Sequence, residues 1–211
     1  MAFTGWPAEA VEFYEGLEAD NTKAYWTAHK PVFEAMVHAP MAALLADLEP
    51  EFGAGRIARP YRDVRFSADK SPYKAAIYAT FETGGYVRFS AAGLTAALGY
   101  YMMAPDQLDR YRRAAAGDAP GTALAGIVAG LTAGDIRVDG TQNLKSAPRG
   151  YPADHPRIDL LRHKGLIAWR DWPAGAWLGT ARARTRVVDF LRTAAPLQDW
   201  LDEHVGPPAP P

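Results

Sequence analysis

Three short, strand-like segments in the middle of the chain constrain its fold more than any other feature. Residues 77–81 and 86–89 are rich in β-branched and aromatic side chains, and the Thr-Gly-Gly sequence at 83–85 is typical of a hairpin turn. Residues 99–103 form a third segment of this kind. Because consecutive strands joined by short turns pair antiparallel, the region from Ile77 to Met103 is predicted to form an antiparallel or mixed sheet.

Helical patterns precede these strands. Apolar side chains at helical spacing predict a first helix over 7–19. They also predict a long helix whose apolar stripe runs from Phe33 to Leu48, with a break at Pro31 and a kink at Pro40. We expect the long helix to pack on the sheet through four side chains. These are Met36, Val37, Met41 and Leu44.

The second half of the chain predicts shorter elements. Helices are expected over 108–116 and 124–131, followed by a long irregular connection at 134–156 that contains one short strand at 136–138. A short helix through Ile158 and Leu161, an extended segment at 166–172 and a helix that turns at Pro196 complete the chain. This order of elements predicts the α+β class, a single domain with an antiparallel or mixed central sheet and helices packed on it.

The composition limits the number of domains and the function. A chain of 211 residues, 48% of them hydrophobic, supports one globular domain, which we place at 1–206, ahead of a proline-rich tail at 207–211. The 23 basic and 24 acidic residues give a net charge of -1, which makes nucleic acid an unlikely partner. The chain has no cysteine and its five histidines are scattered, so no metal site is predicted and no cofactor is indicated.

The distribution of apolar residues predicts a cytoplasmic protein. Residues 1–14 lack the basic and apolar regions of a signal peptide. The most apolar stretches, 91–104 and 121–134, are shorter than the roughly 20 residues of a spanning helix. We therefore expect no membrane partner, and the sequence indicates no oligomeric state.

Residues 59–74 carry the densest group of polar side chains. Five basic and two acidic residues fall within these sixteen positions, in a chain that is otherwise close to neutral. If residues 62–67 form a strand, period-two alternation places Arg62 on the same face as the apolar Val64 and Phe66. Arg62 is then expected to be largely buried and to meet a carboxylate or a bound anion.

The donors in this segment are those that a phosphate or carboxylate group requires. Asp69 and the three residues after it have turn chemistry, which would fold the following side chains back beside the strand. We therefore predict a pocket for a small anionic ligand. The predicted binding residues are Arg62, Arg65, Ser67, Lys70, Tyr73 and Lys74.

A second interpretation of the same residues stays open. Arg62, Asp63, Arg65 and Asp69 can satisfy one another as an ion-pair network that fixes the local structure, with the lysines solvated. In that case the protein is a non-catalytic interaction or scaffold protein. If it is instead an enzyme, the candidates for acid–base catalysis are Asp63, Asp69 and Tyr73.

The run from Arg62 to Lys74, Arg-Asp-Val-Arg-Phe-Ser-Ala-Asp-Lys-Ser-Pro-Tyr-Lys, strongly resembles the central signature of the uncharacterised family catalogued as domain of unknown function 2461. Positions on both sides resemble the family pattern as well, so the resemblance spans nearly the whole chain. It implies a single domain of α and β elements and carries no established reaction, cofactor or catalytic residue. The flanking positions are Phe13, Leu17, Asn21, Trp26, Gly150, Tyr151 and residues 159–164.

Overall fold

The computed structural model describes residues 2–65 and 67–210. The chain forms two compact units. Unit 1 comprises Met1–Ala96 and Asp171–Phe190, and unit 2 comprises Ala97–Arg170 and Leu191–Pro211.

Helices form much of the described chain, and most follow the predicted apolar stripes. A π-helical turn, Phe33–His38, joins the second and third helices, and a short 3₁₀ helix spans Ala176–Gly179. The α-helices are α1 (Ala8–Ala19), α2 (Lys23–Val32), α3 (Ala39–Phe52), α4 (Pro105–Ala116), α5 (Asp118–Ala133), α6 (Ile158–Leu161) and α7 (Arg182–His204).

Six strands form one antiparallel sheet in the order β1-β2-β3-β4-β6-β5. In the ladder, Tyr78 lies opposite Arg88, and Thr80 lies between Arg56 on one side and Tyr86 on the other. The α+β class predicted from the sequence is therefore confirmed. The strands are β1 (Gly55–Ile57), β2 (Ala76–Phe81), β3 (Gly85–Ser90), β4 (Gly93–Tyr100), β5 (Arg137–Asp139) and β6 (Leu166–Pro173).

The core of unit 1 lies between one face of the sheet and the N-terminal helices. Along β2 and β3, the buried side chains alternate with half-buried or exposed ones. The Trp6 ring stacks on Phe89 with its centroid at 4.7 Å, and α3 contacts both β1 and β2. Of the four helical side chains predicted to pack here, Met36 is half-buried. The other three, Val37, Met41 and Leu44, are buried.

Unit 2 is held by side chains that reach the backbone of neighbouring elements. The Tyr111 hydroxyl donates to the Leu160 carbonyl at 2.8 Å, and the Trp200 indole N–H donates to Pro120 at 2.9 Å. Arg157 donates to three carbonyls at the end of α4, Ala115 to Gly117. The Arg157 bonds satisfy carbonyls that the end of α4 leaves without helical partners.

Pro31 and Pro196 are accommodated differently from the prediction, whereas the helix continues through Pro40 as predicted. No break occurs at Pro31, which lies inside the continuous helix Lys23–Phe52. The long helix runs on through Pro40 because the π-helical turn precedes it, so Pro40 falls in the first turn of α3, where its missing N–H costs little. The turn predicted at Pro196 is wrong, since α7 continues to His204. Pro196 is exposed, while Leu197, Trp200 and Leu201 continue the buried stripe beyond it.

Two strands also differ from the prediction. Strand β1 was not expected, and β4 ends at Tyr100 rather than covering 99–103. Gly99 lies near the end of β4 rather than at its start. It has φ +131°, and a Cβ there would lie 2.4 Å from the Leu166 carbonyl oxygen, so glycine is needed for this close approach.

By length and composition, the continuous helix Lys23–Phe52 is apolar enough to cross a membrane, which was not predicted from the sequence. A core helix passes the same test, and this one carries the buried Val37, Met41 and Leu44.

Candidate functional site

Residues 60–74 form a closed loop rather than a strand. Tyr61 and Tyr73 make an isolated antiparallel bridge, with backbone bonds from Arg62 to the Pro72 carbonyl (2.9 Å) and from Lys74 to the Pro60 carbonyl (2.8 Å). The strand predicted over residues 62–67 is therefore wrong among the described residues of this loop. Phe66, which that prediction used, lies outside them.

Asn21 fixes the base of the loop to the turn between α1 and α2. Its side-chain amide donates to the Tyr73 carbonyl at 3.0 Å, and its side-chain oxygen accepts from the Tyr73 N–H at 3.1 Å. The Tyr73 ring stacks on Trp26, with centroids 4.4 Å apart and planes within 8°. Tyr73 is buried, and this burial raises the pKa of its phenol.

Arg62 meets a carboxylate, as expected, but it does not lie in the core. Its guanidinium donates to Asp69 on the far side of the loop, and its side chain is 30% exposed because the segment is a surface loop. The Asp69 carboxylate also accepts from the Ser71 N–H at 2.9 Å. The bonds from Ser71, and then that from Arg62, hold the pKa of Asp69 well below its usual range.

Arg65 forms a second, local ion pair. It donates to both Asp63 oxygens, at 3.0 and 2.7 Å, and these bonds lower the pKa of the Asp63 carboxyl. The Arg65 side chain is 77% exposed. Such exposed pairs contribute little to folding free energy.

The Val64 carbonyl accepts hydrogen bonds from two of the predicted binding residues. The Lys70 ammonium donates to it across the loop at 3.0 Å, and the Ser67 N–H donates to it at 3.4 Å. Lys70 therefore cross-links the loop beside the Arg62–Asp69 pair.

Lys74 lies outside the bridge that closes the loop. Its ammonium donates to the Arg59 carbonyl at 2.9 Å and lies 5.5 Å from the Tyr78 ring centroid. Burial, and then the nearby Arg59 charge, lower the pKa of Lys74. Within residues 2–65 and 67–210, neither the Lys74 ammonium nor the Arg59 guanidinium lies within ion-pair distance of a carboxylate.

The loop thus brings some of the predicted residues together and separates others. The Arg62 and Lys70 side chains bind across the loop, whereas Arg65 binds the nearby Asp63. The Tyr73 ring packs at the base of the loop. Lys74 donates to the backbone carbonyl of Arg59, a residue that was not among the predicted ligands. Whether these side chains bind a ligand stays a prediction.

The pKa values of the three candidates for acid–base catalysis are shifted away from neutral pH. The carboxyls of Asp63 and Asp69 have lowered pKa values, and the phenol of Tyr73 has a raised one. A general acid or base works best with a pKa near the working pH. The described residues also contain no group of three His, Asp or Glu side chains placed to hold a metal ion.

A comparison with family models identifies the chain's relatives. The model described as conserved hypothetical protein (DUF2461) matches residues 9–200. The chain belongs to the DUF2461 family. The matched range includes the whole 60–74 loop and Asn21, so both are part of the DUF2461 domain. No curated protein and no solved structure matches this DUF2461 chain.

Proposed function

We propose that this DUF2461 protein binds a small anionic ligand, bearing a phosphate or a carboxylate, at Arg59 and Lys74 beside the 60–74 loop. One observation carries the proposal. The Lys74 ammonium donates to the Arg59 carbonyl at 2.9 Å, which places two basic residues side by side. Within the described part of the chain no carboxylate lies within ion-pair distance of either side chain, and Asp63, whose pKa is lowered by Arg65 and also by Arg59, is paired with Arg65.

An anion at this position would relieve an unfavourable arrangement. Two like charges held close together destabilise each other, and a bound anion would convert that repulsion into two charge-assisted hydrogen bonds. Lys74 is held in place by its bond to the Arg59 carbonyl and by the Tyr78 ring beneath it. A ligand would therefore meet an ordered ammonium group, at a small cost in side-chain entropy.

A second candidate function has its own support. The Arg62–Asp69 and Arg65–Asp63 pairs satisfy all four charges within the loop, as expected of a structural network in a non-catalytic interaction protein. The two candidate functions require different residues. The anion site needs Arg59 and Lys74, whereas the scaffold function needs only the paired residues and Asn21.

Calorimetric titration with inorganic phosphate and with citrate tests the proposal. The wild type should bind at least one of the two anions, and the double variant Arg59→Gln/Lys74→Gln should bind it about 10- to 150-fold more weakly, as for lost bonds to charged groups. Lys23→Gln, at an exposed lysine that begins α2, is the matched control and should bind like the wild type. Absence of binding to both anions, or equal binding by the double variant, would overturn the anion site.

A further inference from the structure

One face of the sheet in unit 1 carries aromatic and cationic side chains and is not buried. Along β2 and β3, Ala79, Phe81, Val87 and Phe89 point into the core, and the side chains between them point away from it. We call this second set, with Arg56 of β1, the open sheet face. Its members are Arg56, Tyr78, Thr80, Tyr86 and Arg88, all half-buried or exposed.

Two tyrosine rings form the centre of the open sheet face. Tyr78 and Tyr86 lie diagonally across the β2–β3 ladder, with centroids 5.8 Å apart and planes tilted by 39°. The buried pair Ala76 and Ser90 closes one end of this face. Aromatic rings held on a flat sheet are a surface on which planar bases stack, and stacking tolerates any base because each has a π face.

The charges of the open sheet face favour an anionic partner. Arg56 and Arg88 make no ion pair with any residue in the parts of the chain described here. Two acidic side chains of unit 1 bind other donors: Glu82, past the end of β2, accepts from the Ala54 N–H at 3.2 Å, and Asp171 accepts from the Thr95 hydroxyl at 2.5 Å. Unneutralised guanidinium groups beside aromatic rings match a chain of bases and phosphates.

The spacing of the two arginines is compatible with an extended ligand. Arg56 and Arg88 lie on β1 and β3, two strand spacings apart, which is about 10 Å. Successive phosphates of a strand lying over the two rings can therefore reach both arginines. A rigid duplex cannot present its stacked bases to the rings.

We propose that the open sheet face binds single-stranded nucleic acid, with bases stacked on Tyr78 and Tyr86 and phosphates held by Arg56 and Arg88. The Lys74 ammonium of the proposed anion site lies 5.5 Å from the Tyr78 ring centroid, so the two sites adjoin at Tyr78. They differ in their charged contacts, because the sheet face uses Arg56 and Arg88 and neither Arg59 nor Lys74. The net charge of -1 argues against strong binding to any polyanion, but Arg56 and Arg88 make no ion pair among the residues that the structure describes. Binding should therefore be local and sensitive to salt.

Fluorescence anisotropy of the full chain with labelled oligouridylate and oligothymidylate of about 12 nucleotides tests the proposal. A duplex of the same length is the comparison. Both single strands should bind at about 50 mM salt, more weakly at about 200 mM salt, and the duplex should not compete for them. Binding of only one single strand would assign the face to RNA or to DNA. Failure of both strands to bind, or equal binding of the duplex, would overturn the proposal.

Variants locate the binding on the open sheet face. Tyr78→Ala should weaken binding at least about fivefold, and Tyr78→Phe, which keeps the ring, should not. Arg88→Gln should reduce the slope of log K against log salt by about 0.7, the value for one phosphate contact with a single strand. Arg182→Gln, an exposed arginine in the first turn of α7, is the charge-matched control and should leave that slope unchanged.

Two further results complete the test. Circular dichroism and thermal melting should show each variant folded; because Arg88→Gln and Tyr78→Phe remove no buried apolar group, they keep the test valid if Tyr78→Ala unfolds. Unchanged oligonucleotide binding in both Tyr78→Ala and Arg88→Gln would overturn the proposal. The Arg59→Gln/Lys74→Gln variant should still bind oligouridylate, so failure of the anion site and failure of the sheet face are distinguishable.

Discussion

At the scale of single residues, the Asn21 side chain hydrogen-bonds to the Tyr73 backbone as a neighbouring strand would. The Asn21 amide binds the backbone N–H and carbonyl of Tyr73, which would otherwise lack a protein partner at the base of the loop. Asn21→Ala should therefore lower the free energy of unfolding by about 1–3 kcal/mol, measured by urea denaturation. Asp20→Ala, at the exposed neighbour, should stay within about 0.5 kcal/mol of the wild type. Equal losses in the two variants would contradict this role.

Asp69 predicts a pH dependence with a definite sign. The lowered pKa of its carboxyl means that the folded state favours the ionised form. The stabilisation is present above the unfolded pKa of about 3.9 and is lost as the pH falls through the lower folded value. The difference in melting temperature between wild type and Asp69→Asn should therefore shrink between about pH 5 and pH 2. A difference that stays constant over this range would contradict the role of the ionised carboxylate.

At the scale of elements, α7 shows how packing overrides local preference. Pro196 lies inside a 23-residue helix, where it removes one hydrogen bond, yet it is exposed and the buried stripe continues past it. Pro196→Ala should raise the free energy of unfolding by up to about 3 kcal/mol, measured by urea denaturation. Pro40→Ala should give a smaller gain, because Pro40 falls in the first turn of α3. The prediction fails if Pro196→Ala destabilises the protein.

Elements with a long apolar stripe were predictable from the sequence, and those fixed by single contacts were not. Helix α1 begins and ends close to the predicted residues because its buried positions, Ala10, Phe13, Tyr14 and Leu17, recur at helical spacing. Residues 62–67 have strand-like composition, but two ion pairs and the Lys70 cross-link hold the described residues of this range as a loop. Strand β1 has only three residues, too few for a periodic signal.

At the scale of the whole molecule, strand pairing brings together cations that are far apart in sequence, which the charge count could not predict. A net charge of -1 averages over the chain, whereas the ladder of β1, β2 and β3 brings Arg56 and Arg88 onto one face. Likewise, the Tyr61–Tyr73 bridge brings Arg59 beside Lys74 across fifteen positions. The sequence therefore predicted a cationic segment correctly, but only the strand pairing identifies which cations lack carboxylate partners.

Titration of Lys74 by NMR, with carbon-13 in the lysine side chains, tests the proposed anion site most directly. In the free protein, burial and the Arg59 charge hold the pKa of Lys74 below that of an ordinary lysine. Arg59→Gln alone should raise this pKa, and saturating phosphate should raise it in the wild type, because a bound anion favours the charged ammonium. Chloride at the same ionic strength should not produce the rise. A Lys74 pKa that phosphate leaves unchanged would contradict the proposed function.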